Sequence, residues 1–359
     1  MDLAPTFSVL PSQAIDVLCH RLEPVLRMSV TASMPWLKDY LDAVNSQLEE
    51  LSPPPRSTAM ESAAADALSF GGKRVRATLA LLWCEVFSGD FRPAIPLAAA
   101  YELAHASALV QDDIIDHSGM RRGTESIVAK YGLPTAILAS DLLLFNVPRM
   151  VAKYSSLESG KLARIFDLVG EACRATTWGE FLDLEMSRGT DSTEQDYEVM
   201  IRLKTSTLLS APCASGAMVG GASDEQISLA SGFGEALGMA YQIQDDTLDL
   251  IGDELALGKP VFTDLRGGKK SIVLIHCASH CSSEDRNFIS SLLNRSGPYT
   301  DSEISRLRGL INTSGSVDYA RARVLRYTGE AEEALRTVPD SRATSLLQEL
   351  TGYLAARYS

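Results

Sequence analysis

"ALVQDDIIDHSGMRRG" (residues 108–123) sets three aspartates and two arginines at the end of an apolar run. Carboxylates at 112, 113 and 116 repel one another, and holding them beside leucine and valine costs free energy unless positive charge lies between them. The preceding "YELAHASALVQ" reads as an apolar helix, so Asp112 and Asp116 share one face and Asp113 sits about 100° round it. The pattern returns 133 residues downstream, where "FGEALGMAYQIQ" runs into "DDTLD": Asp245 and Asp249 share a face, with Asp246 beside them. Helix C-termini disfavour negative charge, so capping does not account for either cluster.

Hard oxygen ligands with no Cys or His among them suit Mg²⁺ better than Zn²⁺. Mg²⁺ takes only one or two carboxylates and completes its shell with water and phosphate oxygens. Two such helix ends facing each other would hold metal ions that clamp a phosphorylated ligand.

The helical period extends over the whole chain. It predicts helices in "IDVLCHRLEPVLRMSV" (15–30) and "WLKDYLDAVNSQLEEL" (36–51), then near 60–88, 94–116, 133–155, 160–186, 194–220, 224–252, 270–280, 284–294 and, with breaks, 301–358. "SPPPRS" (52–57) reads as a loop, and alternating β-type runs are nearly absent. No flexible linker or change of composition divides the chain, so residues 1–359 are expected to form one large all-α domain.

The composition narrows the possibilities. With 45% hydrophobic and 22% charged residues the chain can build a sizeable core. A net charge of −13 argues against nucleic-acid binding. The N-terminal stretch has no basic segment, and Pro5 and Pro11 break its apolar residues, so no signal peptide is expected. No uninterrupted apolar run approaches the ~20 residues of a membrane span. Six scattered cysteines do not suggest a disulfide framework, which points to the cytoplasm.

Cations accompany the carboxylates. "FGGKRVRATLALLW" (70–83) places Lys73 and Arg76 at the start of an apolar helix behind two glycines, a natural anion site but not a P-loop. His105 lies two helical turns before Asp112, and taken alone reads as a packed core histidine. Lys204 and Thr205 interrupt an apolar helix, and "GKPVFTDLRGGKKS" (258–271) supplies Lys259, Lys269 and Lys270. As a set, these positions suit an enzyme that clamps two diphosphates.

GGKRxR (71–76), ExxH before DDxxD (102–116), RRG (121–123), SDLLL (140–144), GExxDL (179–184), KT (204–205), YQIQDDxxD (241–249) and GKPxxxDLxxGKxS (258–271) follow one another in this order. In them the chain resembles the trans-isoprenyl diphosphate synthases, over roughly residues 15–357, and most resembles those that make geranylgeranyl diphosphate. Ala77, Gln111, Ser140 and Ser271 depart from the usual pattern without removing a ligand, and the loop with "SPPP" is longer than usual.

The resemblance implies the isoprenoid synthase type I fold, a helical bundle around a central cavity, and a homodimer that joins isopentenyl diphosphate to dimethylallyl, geranyl or farnesyl diphosphate. Asp112, Asp116 and Asp245 would bind Mg²⁺ on the allylic diphosphate, with Asp113, Asp246 and Asp249 close behind. Arg121, Lys204 and Lys269 would contact that diphosphate, with Lys259 at the rim. Lys73, Arg76, His105 and Arg122 would hold isopentenyl diphosphate. Gln242 and Thr205 would face the carbocation.

In such enzymes bulky residues upstream of the first aspartate motif stop the growing tail. Here Ser107, Ala108 and Ala104 are small, and the first large side chain on that face is Tyr101, about 16 Å from Asp112 along the helix. That distance holds about three to four isoprene units, so geranylgeranyl diphosphate or a somewhat longer product is expected.

Other readings explain less. A terpene cyclase of the same fold would lack the second DDxxD and have no use for Lys73, Arg76 and Arg122. A silent partner subunit would have lost aspartates, and all six remain. "HCASHC" (276–281) puts His276 with His280 and Cys277 with Cys281 at i, i+4 spacing. With no second ligand pair evident nearby, it reads as helix surface and not as a zinc site. "GFGEALG" (232–238) follows no strand and is not a dinucleotide fingerprint.

Overall fold

In a computed structural model of the chain, residues 34–49, 58–70, 74–154, 158–189, 192–252, 262–295 and 297–355 are described. Four helices come first: α1 (Leu37–Glu49), α2 (Ala59–Ser69), α3 (Val75–Ser88) and α4 (Ile95–Ile115). The expected helix over 60–88 is thus two. α2 begins with a capping box, in which Thr58 Oγ1 accepts from the Glu61 amide while the Glu61 carboxylate accepts from Thr58 N. α4 opens with Pro96 in its first turn, where the missing N–H has no intrahelical partner to lose.

After α4 comes a feature that sequence periodicity did not suggest. Met120–Arg121 (β1) and Thr124–Glu125 (β2) pair antiparallel, Met120 opposite Glu125 and Arg121 opposite Thr124. The two turn residues, Arg122 and Gly123, have φ of 50° and 80°, as a type I′ turn demands. Two residues per strand are too short to show a period of two.

The chain continues through α5 (Ile127–Tyr131), α6 (Leu133–Tyr154), α7 (Ser159–Arg188) and α8 (Glu194–Ile201). A π-helical segment, Arg202–Ser206, then leads into α9 (Thr207–Gly220), so the expected single helix over 194–220 is interrupted at Lys204 and Thr205. α10 (Asp224–Ile251) starts from another capping box, Ser223 with Gln226. The remainder is α11 (Thr263–Arg266), α12 (Ile272–Ser279), α13 (Ser283–Leu293), α14 (Asp301–Thr313), α15 (Ser316–Leu335) and α16 (Arg342–Ala355). The helix in 15–30 and the "SPPPRS" loop lie outside the described residues.

The all-α expectation holds. The main packings are α4 on α6, α3 on α9, α9 on α10 and α10 on α15. α9 sits close between two neighbours because glycines face them at i, i+4 spacing. A Cβ at Gly220 would lie 2.5 Å from the Cys84 carbonyl, and one at Gly216 would strike the Ala80 carbonyl. On α10, a Cβ at Gly238 would lie 2.5 Å from Ser206 Cα, and one at Gly234 2.5 Å from the Leu209 carbonyl. Gly234 and Gly238 of "GFGEALG" are therefore packing positions, whereas a Cβ at Gly232 would meet nothing.

Two apolar clusters form the core, and α10 and α15 run through both: Phe233, Leu237 and Ala331 belong to one, Ile243, Leu250 and Val324 to the other. α6 is long and apolar enough to cross a membrane by length and composition (Leu133–Ala152). In this fold it buries Leu143, Val147 and Met150 and exposes Ile137, Leu138 and Phe145.

Candidate active site

The C-terminal end of α4, the π segment and the C-terminal half of α10 converge with α7 and the chain around α11. Asp112 accepts from Arg121 Nη2 at 2.8 Å and lies 3.5 Å from Lys204 Nζ. Burial alone would raise its pKa. Lys204, Lys269 and Arg121 outweigh that and hold it below the ordinary aspartate value. Asp113 is buried, accepts from Arg121 Nε at 2.9 Å and Nη2 at 2.6 Å, and leaves Oδ2 without a hydrogen-bond partner among the described residues. Burial raises its pKa despite the guanidinium. Asp116 accepts from Lys269 Nζ at 2.8 Å.

Lys204 is enclosed by carboxylates: Asp183 at 2.6 Å and Glu180 at 2.8 Å, both on α7, besides Asp112. Burial would lower its pKa, and these anions raise it above the ordinary lysine value. The segment that carries it packs against α7 at Gly179, where a Cβ would overlap the Lys204 backbone. A π turn at this point displaces Lys204 and Thr205 from their α-helical positions.

On α10 the second cluster has a different environment. Gln242 Oε1 accepts from Thr205 Oγ1 at 2.7 Å, and its Nε2 donates to Asp246 Oδ1 at 2.6 Å. The Tyr197 hydroxyl donates to Asp246 Oδ2 at 2.6 Å. Burial and the Asp264 carboxylate push Asp246 up to about 7, against these hydrogen bonds. Asp245 is half-buried beside it. Asp249 does not share its surroundings: it is fully buried, and its oxygens accept from Thr263 Oγ1 at 2.5 Å, Thr263 N at 3.3 Å and Asp264 N at 3.1 Å. It docks α11, and α11 brings Asp264 within 3.8 Å of Lys269. Lys269 thereby links Asp116 of the first cluster to Asp264, which faces Asp246 of the second.

A second group of cations lies at the start of α3. Arg76 is buried enough to lower its pKa, and its Nε has no hydrogen-bond partner among the described residues. His105 is driven well below the ordinary histidine value by burial, then by Arg76, Arg122, Arg121 and Arg74, so its imidazole is neutral. Arg122 reaches the Phe70 carbonyl at 3.4 Å. Arg74 is held by Glu102 at 3.0 Å and by the Leu68 carbonyl at 2.9 Å, while Glu102 also accepts from Ala77 N. Lys73 and Lys259 lie outside the described residues. Lys270 donates to the Gly189 carbonyl.

All four non-glycine residues with positive φ among the described residues flank these sites: Arg74, His117, Arg122 and Phe262. Such conformations cost on the order of 1 kcal/mol or more each and persist where the surroundings over-determine them.

A cleft lies below the first cluster, lined by Ala104, Ser107, Ala108, Gln111, Leu144, Cys173, Thr176, Thr177, Glu180 and Leu208. Ser107 also exchanges a hydrogen bond with Ser140 of α6 at 2.9 Å. Tyr101 is fully buried one turn below Ala104, with its hydroxyl 2.9 Å from Ser215 of α9; it lies behind the cleft lining, not in it.

Glu180, Asp183, Tyr197, Asp264 and Glu102 received no role from the sequence. "GExxDL", "ExxH" and "GKPxxxDLxxGKxS" mark four of them, but only the fold shows which cation each acid faces. At "HCASHC", the His276 and His280 rings stack at 4.0 Å and Nδ1 of His276 meets Ser316 Oγ at 2.9 Å, an arrangement of packed rings and not of ligands.

No three His, Cys, Asp or Glu side chains among the described residues converge to hold a metal by themselves. A donor set of carboxylate oxygens alone fits a hard divalent ion, which would take its remaining ligands from phosphate oxygens and water. Two carboxylate clusters linked through Lys269, a separate arginine–histidine group and a cleft between helices fit an all-α enzyme that acts on diphosphates.

The chain belongs to the polyprenyl synthetase family, whose profile matches residues 57–310. It is 36% identical over 269 residues to a geranylgeranyl diphosphate synthase of Sulfolobus acidocaldarius, covering 75% of this chain and 81% of that one. It is 34% identical over 295 residues to a geranylfarnesyl diphosphate synthase of Aeropyrum pernix, covering 80% and 91%. Among solved structures, a geranylgeranyl pyrophosphate synthetase from Pyrococcus horikoshii Ot3 superposes with a TM-score of 0.84 at 32% identity, covering 95% of this chain and 99% of that one. The chain is therefore a trans-prenyltransferase that acts on isoprenyl diphosphates, in a family that generally uses a divalent metal.

Proposed function

We propose that this single-domain enzyme condenses isopentenyl diphosphate with dimethylallyl, geranyl or farnesyl diphosphate in the presence of Mg²⁺, and that its product is geranylgeranyl diphosphate or one somewhat longer. The observation that carries the product length is the cleft below Asp112. Small side chains at 104, 107 and 108 line it, and Tyr101 lies buried beneath. The names of the relatives, which span geranylgeranyl and geranylfarnesyl products, agree with that range.

Arg121, Lys204 and Lys269 neutralise charge on the allylic diphosphate as it leaves, with Lys259 at the rim. Asp112, Asp116 and Asp245 would hold the metal, with Asp113 and Asp246 beside them, while Asp249 docks α11. Mg²⁺ supplies Lewis-acid stabilisation of the leaving group. Thr205 and Gln242, hydrogen-bonded to each other, would face the allylic carbon, and the cleft would keep water from it. Lys73, Arg76, Arg122 and neutral His105 hold isopentenyl diphosphate, whose double bond attacks. The departing diphosphate takes the proton.

The exposed side chains Leu133, Ile137, Leu138 and Phe145 of α6 and Trp178 and Phe181 of α7 favour a homodimer. Five cysteines that are free among the described residues favour the cytoplasm. The test is incubation with isopentenyl diphosphate, Mg²⁺ and each allylic primer in turn, with products sized after dephosphorylation. A C20 or C25 alcohol is expected. A C15 alcohol alone would refute the length, and no product from any primer would refute catalysis by this chain alone.

A further inference from the structure

We propose that Tyr197 is a positioning residue whose hydroxyl fixes the orientation of Asp246 and so aligns the second aspartate cluster for metal and diphosphate. This rests on the metal-binding role proposed above for that cluster.

Tyr197 is fully buried, and its hydroxyl lies 2.6 Å from Asp246 Oδ2. The other carboxylate oxygen is taken by Gln242 at 2.6 Å, and Gln242 is taken in turn by Thr205 at 2.7 Å. Asp246 is thus gripped on both oxygens by neutral donors while two further carboxylates, Asp245 and Asp264, repel it. Without the phenol, one oxygen would lose its donor, and rotation away from Asp264 would relieve the repulsion. The hydroxyl therefore opposes a rotation that the local charges favour.

Tyr197 can do this because α8 is anchored on either side of it along the chain. Glu194 accepts from the Tyr319 hydroxyl, and Glu198 pairs with Arg323, both on α15. Tyr319 is backed by the ring of His276, whose centroid lies 4.2 Å away at 19°. The capping box of Thr193 with Asp196 holds the first turn. An isolated helix of eight residues would fray, but this one has a fixed rotation.

The test is a Mg²⁺ titration of the full-length protein with inorganic diphosphate, followed by thermal denaturation. In Tyr197→Phe, which removes one oxygen and keeps the ring, the midpoint for Mg²⁺ stabilisation is expected to rise about tenfold. The melting temperature without Mg²⁺ should stay close to wild type, and KM for isopentenyl diphosphate should be unchanged. In an Asp246→Ala background the same change should add nothing further. A Mg²⁺ midpoint equal to wild type in Tyr197→Phe, or an additive loss in the double variant, overturns the proposal. A wild type that shows no Mg²⁺ response overturns the metal site along with it. Should Tyr197→Phe fold poorly, the comparison moves to Asp246→Asn and Asp246→Ala. The first keeps an acceptor for the Tyr197 hydroxyl and must retain the stronger Mg²⁺ response; equal responses overturn the proposal.

Discussion

Lys204 Nζ and Asp183 Oδ2 meet at 2.6 Å, across the contact between the π segment and α7. Glu180 and Asp112 close round the same ammonium, so one cation holds three carboxylates together. Lys204→Met removes that cation both from the diphosphate and from the cluster. The expected result is a fall of about 10²–10³ in kcat, the scale of losing one preorganised charge. The apo protein should also melt lower, and Mg²⁺ should restore part of the loss by replacing the missing charge. Steady-state kinetics and melting curves with and without Mg²⁺ check both effects.

Gly179 sits where the π segment touches α7, and a Cβ there would overlap the Lys204 backbone. Gly179→Ala should therefore displace Lys204 and Thr205, with overpacking that costs about 1–3 kcal/mol. Gly216→Ala meets the Ala80 carbonyl between α3 and α9 with similar crowding. Denaturant unfolding should show comparable destabilisation of the two variants. Only Gly179→Ala is expected to lose kcat by more than its loss of folded protein explains.

The tail cleft gives a product ladder. Ser107→Phe puts a ring into the lining just below Asp112 and should shorten the product by at least one isoprene unit. Ala104→Phe, one turn further down, should shorten it less. Tyr101→Ala should lengthen it, at a stability cost of about 3–5 kcal/mol for emptying a fully buried aromatic site. Chromatography of dephosphorylated products reads the order. If the Ser107→Phe product is no shorter than wild type, the α4 ruler is wrong.

Burial and the surrounding arginines disfavour the charged form of His105. Because its pKa is lower in the folded state, the unfolded chain binds the extra proton first. The associated stability is therefore complete above the unfolded value of about 6.5 and diminishes as pH falls below it. Urea unfolding from pH 7.5 to 5.5 should show this slope in wild type and a shallower one in His105→Gln. Added inorganic diphosphate should weaken the dependence, since its negative charge offsets the arginines.

Much of this was legible in the sequence because helices are local. A period of 3.6 recovered most helix bounds to within a few residues, and i, i+4 spacing put Asp112 and Asp116 on one face. The breaks it missed have local causes too subtle for periodicity. One is the π turn at Arg202–Ser206, which leaves the apolar pattern almost intact. Another is a hairpin only two residues deep, closed by Arg122 in a conformation that non-glycine residues seldom adopt.

The sequence by itself determined the helices, the residue types at the site and the smallness of the side chains ahead of Asp112, because each is a property of neighbours along the chain. Only the tertiary structure decided which charges face each other. Asp245 and Asp249 have the same spacing as the first pair, yet Asp249 turns inward to cap α11 and Asp246 takes the donors, because α8 and α11 approach α10 from different sides. Glu180 and Asp183 became partners of Lys204 through a glycine contact between segments more than twenty residues apart. Charge pairing acts over a few ångströms of space, and sequence spacing along a helix carries no record of what packs against it.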